Sequence, residues 1–300
     1  MPFRFTDPEH LAGETGRIAI EQIDRALREL ADDSLDRHET IHQVRKRCKK
    51  LRGLLRLVRG SIGGDYKEEN AWFRDAARPL SAARDAKVMV DTYDAVMERF
   101  GHEVDRPSFA PLRKKLTLRM RGTVEEAKAI DERLAEFHQR LEEARDRVPA
   151  WAARVDGMPE LLAGMEKTYQ RGRKAMETAY AEPSGEHFHE WRKRVKYHWY
   201  HCRLLEDCWP PLMKARARET AKLADALGDA HDLSVFRALL EAEPALCSSA
   251  EQQQAMLGLI DQHREALRRD AWAPGQRLFA SKPGKLRKEF ERYAATWKAA

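Results

Sequence analysis

The nineteen residues from Ile41 to Arg59, IHQVRKRCKKLRGLLRLVR, contain no acidic side chain. His42, Arg45, Lys49, Arg52, Arg56 and Arg59 follow one another at steps of three, four, three, four and three, so on an α-helix they share one face. Arginine presents a planar fork of donors and lysine a mobile point charge, so such a row can hold phosphoryl oxygens along a chain without reading any base. At 1.5 Å of rise per residue the row is about 25 Å long, which suits an extended polyanion better than a single phosphate group. Ile41, Val44, Cys48, Leu51, Leu55 and Val58 repeat the same steps about 100° round the helix and form the stripe that would anchor it in a core. A merely solvated helical face would interleave Glu or Asp for i,i+4 pairing, and this one does not.

The pattern recurs. His42, Arg45, Lys46, Arg47 and Lys49 match His189, Arg192, Lys193, Arg194 and Lys196 at an offset of 147, and the same offset carries Leu80-Ser81-x-Ala83-Arg84-Asp85 onto Leu227-Gly228-x-Ala230-His231-Asp232. Pro8 to Gly13 matches Pro159 to Gly164 at an offset of 151. The second basic stripe keeps His189, Arg192, Lys196 and Arg203 but has Trp199 and Glu206 where the first has Arg52 and Arg59, so the first is expected to carry more of any affinity. Phe188, Trp191, Val195, Cys202 and Leu205 keep the apolar stripe, with His198 in one of its places.

Two other chemistries compete for these residues. His187, His189, His231 and Asp232 could hold a metal, and His231-Asp232 is similar to the dyad of all-helical HD-type phosphohydrolases. The first half has Arg84-Asp85 at that position, which favours an ion pair or cap over a metal ligand. Tyr197, Trp199 and Tyr200 could stack on nucleotides, in the manner of a sequence-neutral nucleic-acid binder, though packing between helices is the expected use. No GxxxxGK[ST] loop, GxSxG elbow or HExxH helix is present, so no catalytic residue, cofactor or metal is assigned.

The elements that must position the stripes are helices. The chain has 300 residues, 42% hydrophobic and 35% charged, with 55 basic against 49 acidic side chains, so a polyanion site must come from placement and not from total charge. Helical periodicity is expected over about 11–30, 39–59, 67–100 with a break near Pro79, 109–121, 123–147, 159–180, 185–208, 211–242, 250–270 and 284–298, without strands. Gly53 in mid-helix suggests close approach by another segment. Pro149, Gly157 and Pro159 mark the expected boundary between an N-terminal bundle, 1–150, and a C-terminal bundle, 151–300. Four cysteines without CxxC spacing, no apolar run of membrane length and no leader pattern at the N-terminus point to a reducing, cytoplasmic setting.

The doubled element, His42-x-x-Arg45-x-x-x-Lys49-Lys50-Leu51-Arg52-x-x-Leu55-Arg56 and His189-x-x-Arg192-Lys193-x-x-Lys196, each followed by Leu-(Ser/Gly)-x-x-(Arg/His)-Asp, resembles the CHAD domain, the conserved-histidine α-helical domain. The resemblance implies an all-α fold of two pseudo-symmetric helical bundles with basic residues of both lining a shared groove or cavity. It further implies non-enzymatic binding of inorganic polyphosphate, at polyphosphate granules in some members, in the stand-alone form without a triphosphatase domain. The implied ligand set is His42, Arg45, Lys46, Lys49, Arg52, Arg56, Arg59, His189, Arg192, Lys193, Lys196 and Arg203. Two departures stand out: Trp199-Tyr200 followed by Arg203 replaces the family's Arg-Tyr and glutamate, and His231 stands where arginine is more usual.

Overall fold

The computed structural model describes residues 2–122 and 124–297, apart from the side chains of 81–84 and 124–127. Among the described residues the regular structure is entirely helical: α1 (Leu11–Leu30), α2 (Arg37–Leu57), α3 (Asp65–Ala76), α4 (Ser81–Phe100), α5 (Arg106–Arg121), α6 (Val124–Ala152), α7 (Met158–Ala181), α8 (Gly185–Leu204), α9 (Pro210–Ala242), α10 (Ala250–Leu278) and α11 (Pro283–Thr296), with two short 3-10 turns. The basic helix α2 starts two residues earlier than its periodicity suggests, because the Asp36 carboxylate accepts the backbone N–H groups of His38 and Glu39. Pro79 separates α3 from α4, as expected. Ala226 stands 147 residues later, and there α9 runs on without a break. Pro149 and Pro274, in contrast, are absorbed near the C-terminal ends of α6 and α10, which therefore run past the ends expected for them.

Helix α1 packs on α2 and α6, and α7 packs in the same manner on α8 and α11. The larger of two hydrophobic clusters joins all of these, from Ile18 and Leu51 to Trp191 and Phe290. The smaller one sets α4 and α5 against α9 and α10, with Val96 and Leu112 meeting Phe236 and Ile260. Neither cluster stops at residue 150. The segment at the expected boundary is itself packed, with Trp151 and Val155 buried.

All six residues of the α2 apolar stripe are buried. The helix is enclosed further than a single stripe requires, because α7 and α8 also lie against it. Glycine makes both approaches possible. A Cβ on Gly53 would stand 2.9 Å from Tyr200 Cβ, and one on Gly164 would stand 1.8 Å from the Leu57 carbonyl oxygen. At the first crossing the His201 ring donates from Nε2 to the Gly53 carbonyl at 3.1 Å. A strap at the N-terminus covers the same place: Phe3 and Phe5 are buried, Phe3 meets Tyr200 edge-on, and the Phe5 N–H donates to the Leu204 carbonyl at 2.9 Å.

Gly164→Ala should destabilise the protein by about 3 kcal/mol or more, since backbone must move. Gly53→Ala should cost about 1–2 kcal/mol, because better helix propensity offsets part of the clash with a side chain. Urea unfolding of both variants checks the order.

Candidate anion-binding site

The half-buried part of the α2 row borders a cavity of about 280 Å³ against α3 and the α3–α4 turn. Arg45, Lys49 and Arg52 line it from α2, and Arg74 and Arg78 from the other side. The one carboxylate among the lining residues is Asp75, which lies 2.7 Å from Arg74 and 2.6 Å from Arg78; these partners hold it down to about 2. Five cations thus surround one committed carboxylate. Arg45 is oriented by donating from Nη1 to the Ala77 carbonyl at 2.6 Å, and Arg52 by Asn70 Oδ1 at 3.3 Å. Fixed guanidinium groups lose little freedom when an anion arrives, which favours binding over simple attraction.

The rest of the row is placed differently. His42 borders a separate hollow of about 230 Å³ with His38, Lys87 and Asp91, and Lys46 is exposed. Arg56 is buried: its Nη1 donates to Asn70 Oδ1 and the Arg52 carbonyl, and its guanidinium stacks 3.8 Å from the centre of the Tyr197 ring. Arg59 donates to the Gly164 carbonyl at 2.6 Å and Thr168 Oγ1 at 2.8 Å. Burial lowers the affinity of both guanidinium groups for their proton, Arg59 to about 10. Arg56 and Arg59 therefore brace α2 against α3, α7 and α8.

The α8 row lies along α9. His189 Nδ1 is 3.1 Å from His231 Nδ1, with ring centres 4.0 Å apart, so one ring donates and the other must be bare. Burial, helped by Lys193, Arg192 and Lys49, lowers His189; burial and then His189 push His231 to about 3. Lys49 of the α2 row is among the cations that oppose a charge on His189, so the two rows lie within electrostatic reach of each other. Arg192 lies against Gly228, where a Cβ would meet its Nε at 3.4 Å, and that Nε is buried without an acceptor. Lys193 is exposed and paired with Glu190. Lys196 sits 3.2 Å from Asp225 and over Trp199, and Arg203 lies over the same indole at 5.4 Å.

The two rows differ for a reason visible at their borders. Arg78 lines the α2 cavity, whereas the residue 147 places later, Asp225, binds Lys196. Arg74 and Arg78 escaped the sequence reading because they belong to no helical stripe of the doubled motif. Arg84 of that motif lies outside the described side chains. His187 points its Nδ1 to the Glu182 carbonyl, and two residues along a helix it faces nearly opposite to His189. Among the described residues no group of three His, Cys, Asp or Glu side chains gathers as a metal site, so the metal reading keeps only an imidazole pair. Tyr197 and Tyr200 are buried and half-buried Trp199 packs against the core, as expected of aromatics between helices.

Residues 17–241 match the CHAD domain family. The chain belongs to that family. It is 26% identical over 276 residues to two uncharacterized proteins from two strains of Mycobacterium tuberculosis, an alignment that covers 87% of this chain and 51% of each relative. The chain thus spans about half the length of those curated relatives. Its fold is like that of the crystal structure of the CHAD domain from the plant Ricinus communis, with a TM-score of 0.62, 18% identity and 94% of both chains covered. Together with the all-helical architecture, this establishes the CHAD fold expected from the doubled motif. Among the described residues no helix is long and apolar enough to cross a membrane.

The buried histidines make stability depend on pH. Burial pushes His201 down to about 3 and His198 well below the ordinary 6.5, so both are neutral in the folded protein. The unfolded chain takes up protons below about 6.5 that the folded one refuses, and stability is lost as pH falls from there toward 3. Between pH 6.5 and 5 each group should remove about 2 kcal/mol. Urea titrations at the two pH values should show the loss, and His201→Gln should remove one group's share of the slope.

Proposed function

We propose that this protein binds inorganic polyphosphate through a basic groove that begins at the α2 cavity and continues to the α8 row, without turning it over chemically. The observation that carries this reading is the cavity in which Arg45, Lys49, Arg52, Arg74 and Arg78 surround Asp75. Membership of the CHAD family, whose members associate with polyphosphate, supports it. His42, Lys46, Lys193 and Arg203 would act at the ends of the groove, while Arg56 and Arg59 would hold its floor. Duplex nucleic acid suits the site less well: the cations sit in a recess between helices, and the aromatics that could stack on bases are packed against other side chains. Recruitment to polyphosphate granules would follow from the same affinity.

Isothermal titration with long-chain polyphosphate at low salt should give saturable binding that weakens steeply as salt is raised, by analogy with counterion release from nucleic acids. Lys49→Glu should weaken it about tenfold or more. Absence of heat from the wild type, or equal binding by duplex DNA, would overturn the reading.

Binding should also take up protons. In the free protein Lys193, Arg192 and Lys49 oppose a charge on His189, against Glu190 on α8, and His189, Arg192 and Lys193 oppose one on His231. Phosphate oxygens seated on those cations would raise both imidazoles, so affinity should rise as pH falls from 7 to 5.5. Titrations in buffers of different ionisation enthalpy measure the uptake, which His231→Asn should reduce.

A further inference from the structure

The buried end of the α2 row does not end in a neutral core. The Nε atoms of Arg56 and Arg59 are buried without an acceptor. The Arg194 charge opposes both guanidinium groups and the Arg171 charge opposes Arg59. Arg194 lies five residues beyond His189, which places it about 140° round α8 from the row that faces α9. Beyond it α7 and α8 leave a cavity of about 440 Å³, lined by Arg171, Lys174, Thr178, His187, Glu190 and Arg194. Its one lining carboxylate, Glu190, is shared between Arg194 and Lys193. The His187 ring donates from Nδ1 to the Glu182 carbonyl at 2.6 Å, and Thr178 adds a hydroxyl to the wall. The cavity wall thus carries the cations Arg171, Lys174 and Arg194 against one carboxylate, Glu190. Such a cluster is destabilising in the empty protein and is relieved by an arriving anion.

We propose that the α7–α8 cavity is a second phosphate subsite, on the other side of α8 from the His189–His231 pair, which takes the overhanging end of a long polyphosphate. It rests on the polyphosphate reading of the central groove. A chain long enough to occupy both places gains affinity by linkage, while a short one occupies the groove alone. The protein then distinguishes long from short polyphosphate through Arg171 and Lys174, neither of which belongs to the doubled motif.

The test is a full-length Arg171→Glu/Lys174→Glu variant, both positions being exposed, titrated with long-chain polyphosphate and with tripolyphosphate. Long-chain affinity should fall about tenfold and tripolyphosphate affinity should stay within twofold. In the wild type, long-chain polyphosphate should slow hydrogen exchange over residues 171–178, and tripolyphosphate should not. Unchanged long-chain affinity, or an equal loss for both ligands, would overturn the subsite while leaving the central groove standing if Lys49→Glu still weakens binding. A wild type that binds neither ligand would overturn both.

Discussion

The crossing of α2 and α8 at Gly53 and Tyr200 is the contact on which the rest depends. It brings a helix with no acidic residue between Ile41 and Arg59 into the interior, where its cations must find partners or raise the energy of the fold. The partners include carbonyl oxygens, amides and aromatic faces: Ala77 for Arg45, Asn70 for Arg52 and Arg56, Gly164 for Arg59 and Tyr197 for Arg56. Such neutral acceptors orient a guanidinium group without cancelling its charge. The positive potential is preserved for a ligand.

The face of α2 that packs on α1 is treated differently. Arg47, on the opposite face, is neutralised by Glu29 and reaches Gln22. Lys50 is buried over the Phe3 ring, and burial together with Arg47 and Arg203 lowers it to about 7. One helix thus has a side where charge is paired or suppressed and a side where it is kept, and only the second borders an open cavity.

The stripes, the anchoring residues and the close approach at Gly53 were legible in the sequence because each is a periodic or singular local signal. The break at Pro79 was legible for the same reason. The fates of Arg56 and Arg59 were not, since their spacing is identical to that of Arg45 and Arg52; only the positions of Asn70, Tyr197 and Gly164 tell braces from lining residues. Arg74 and Arg78 were hidden because one sits in the last turn of α3 and the other in the turn after it, outside the stripes of the doubled motif. Near the expected boundary the helix pauses only between Ala152 and Met158, and buried Trp151 and Val155 show that chain punctuation and exposure are different properties.

The strap formed by Phe3 and Phe5 ties the first residues to Leu204, across two thirds of the chain. During synthesis the N-terminus must wait, unpaired, until α8 has left the ribosome. Until then α2 exposes its glycine notch and an uncompensated run of positive charge. Order of synthesis thus postpones the completed groove until the second motif has been made, and the nascent first half passes through an interval in which its basic helix is open to any polyanion nearby.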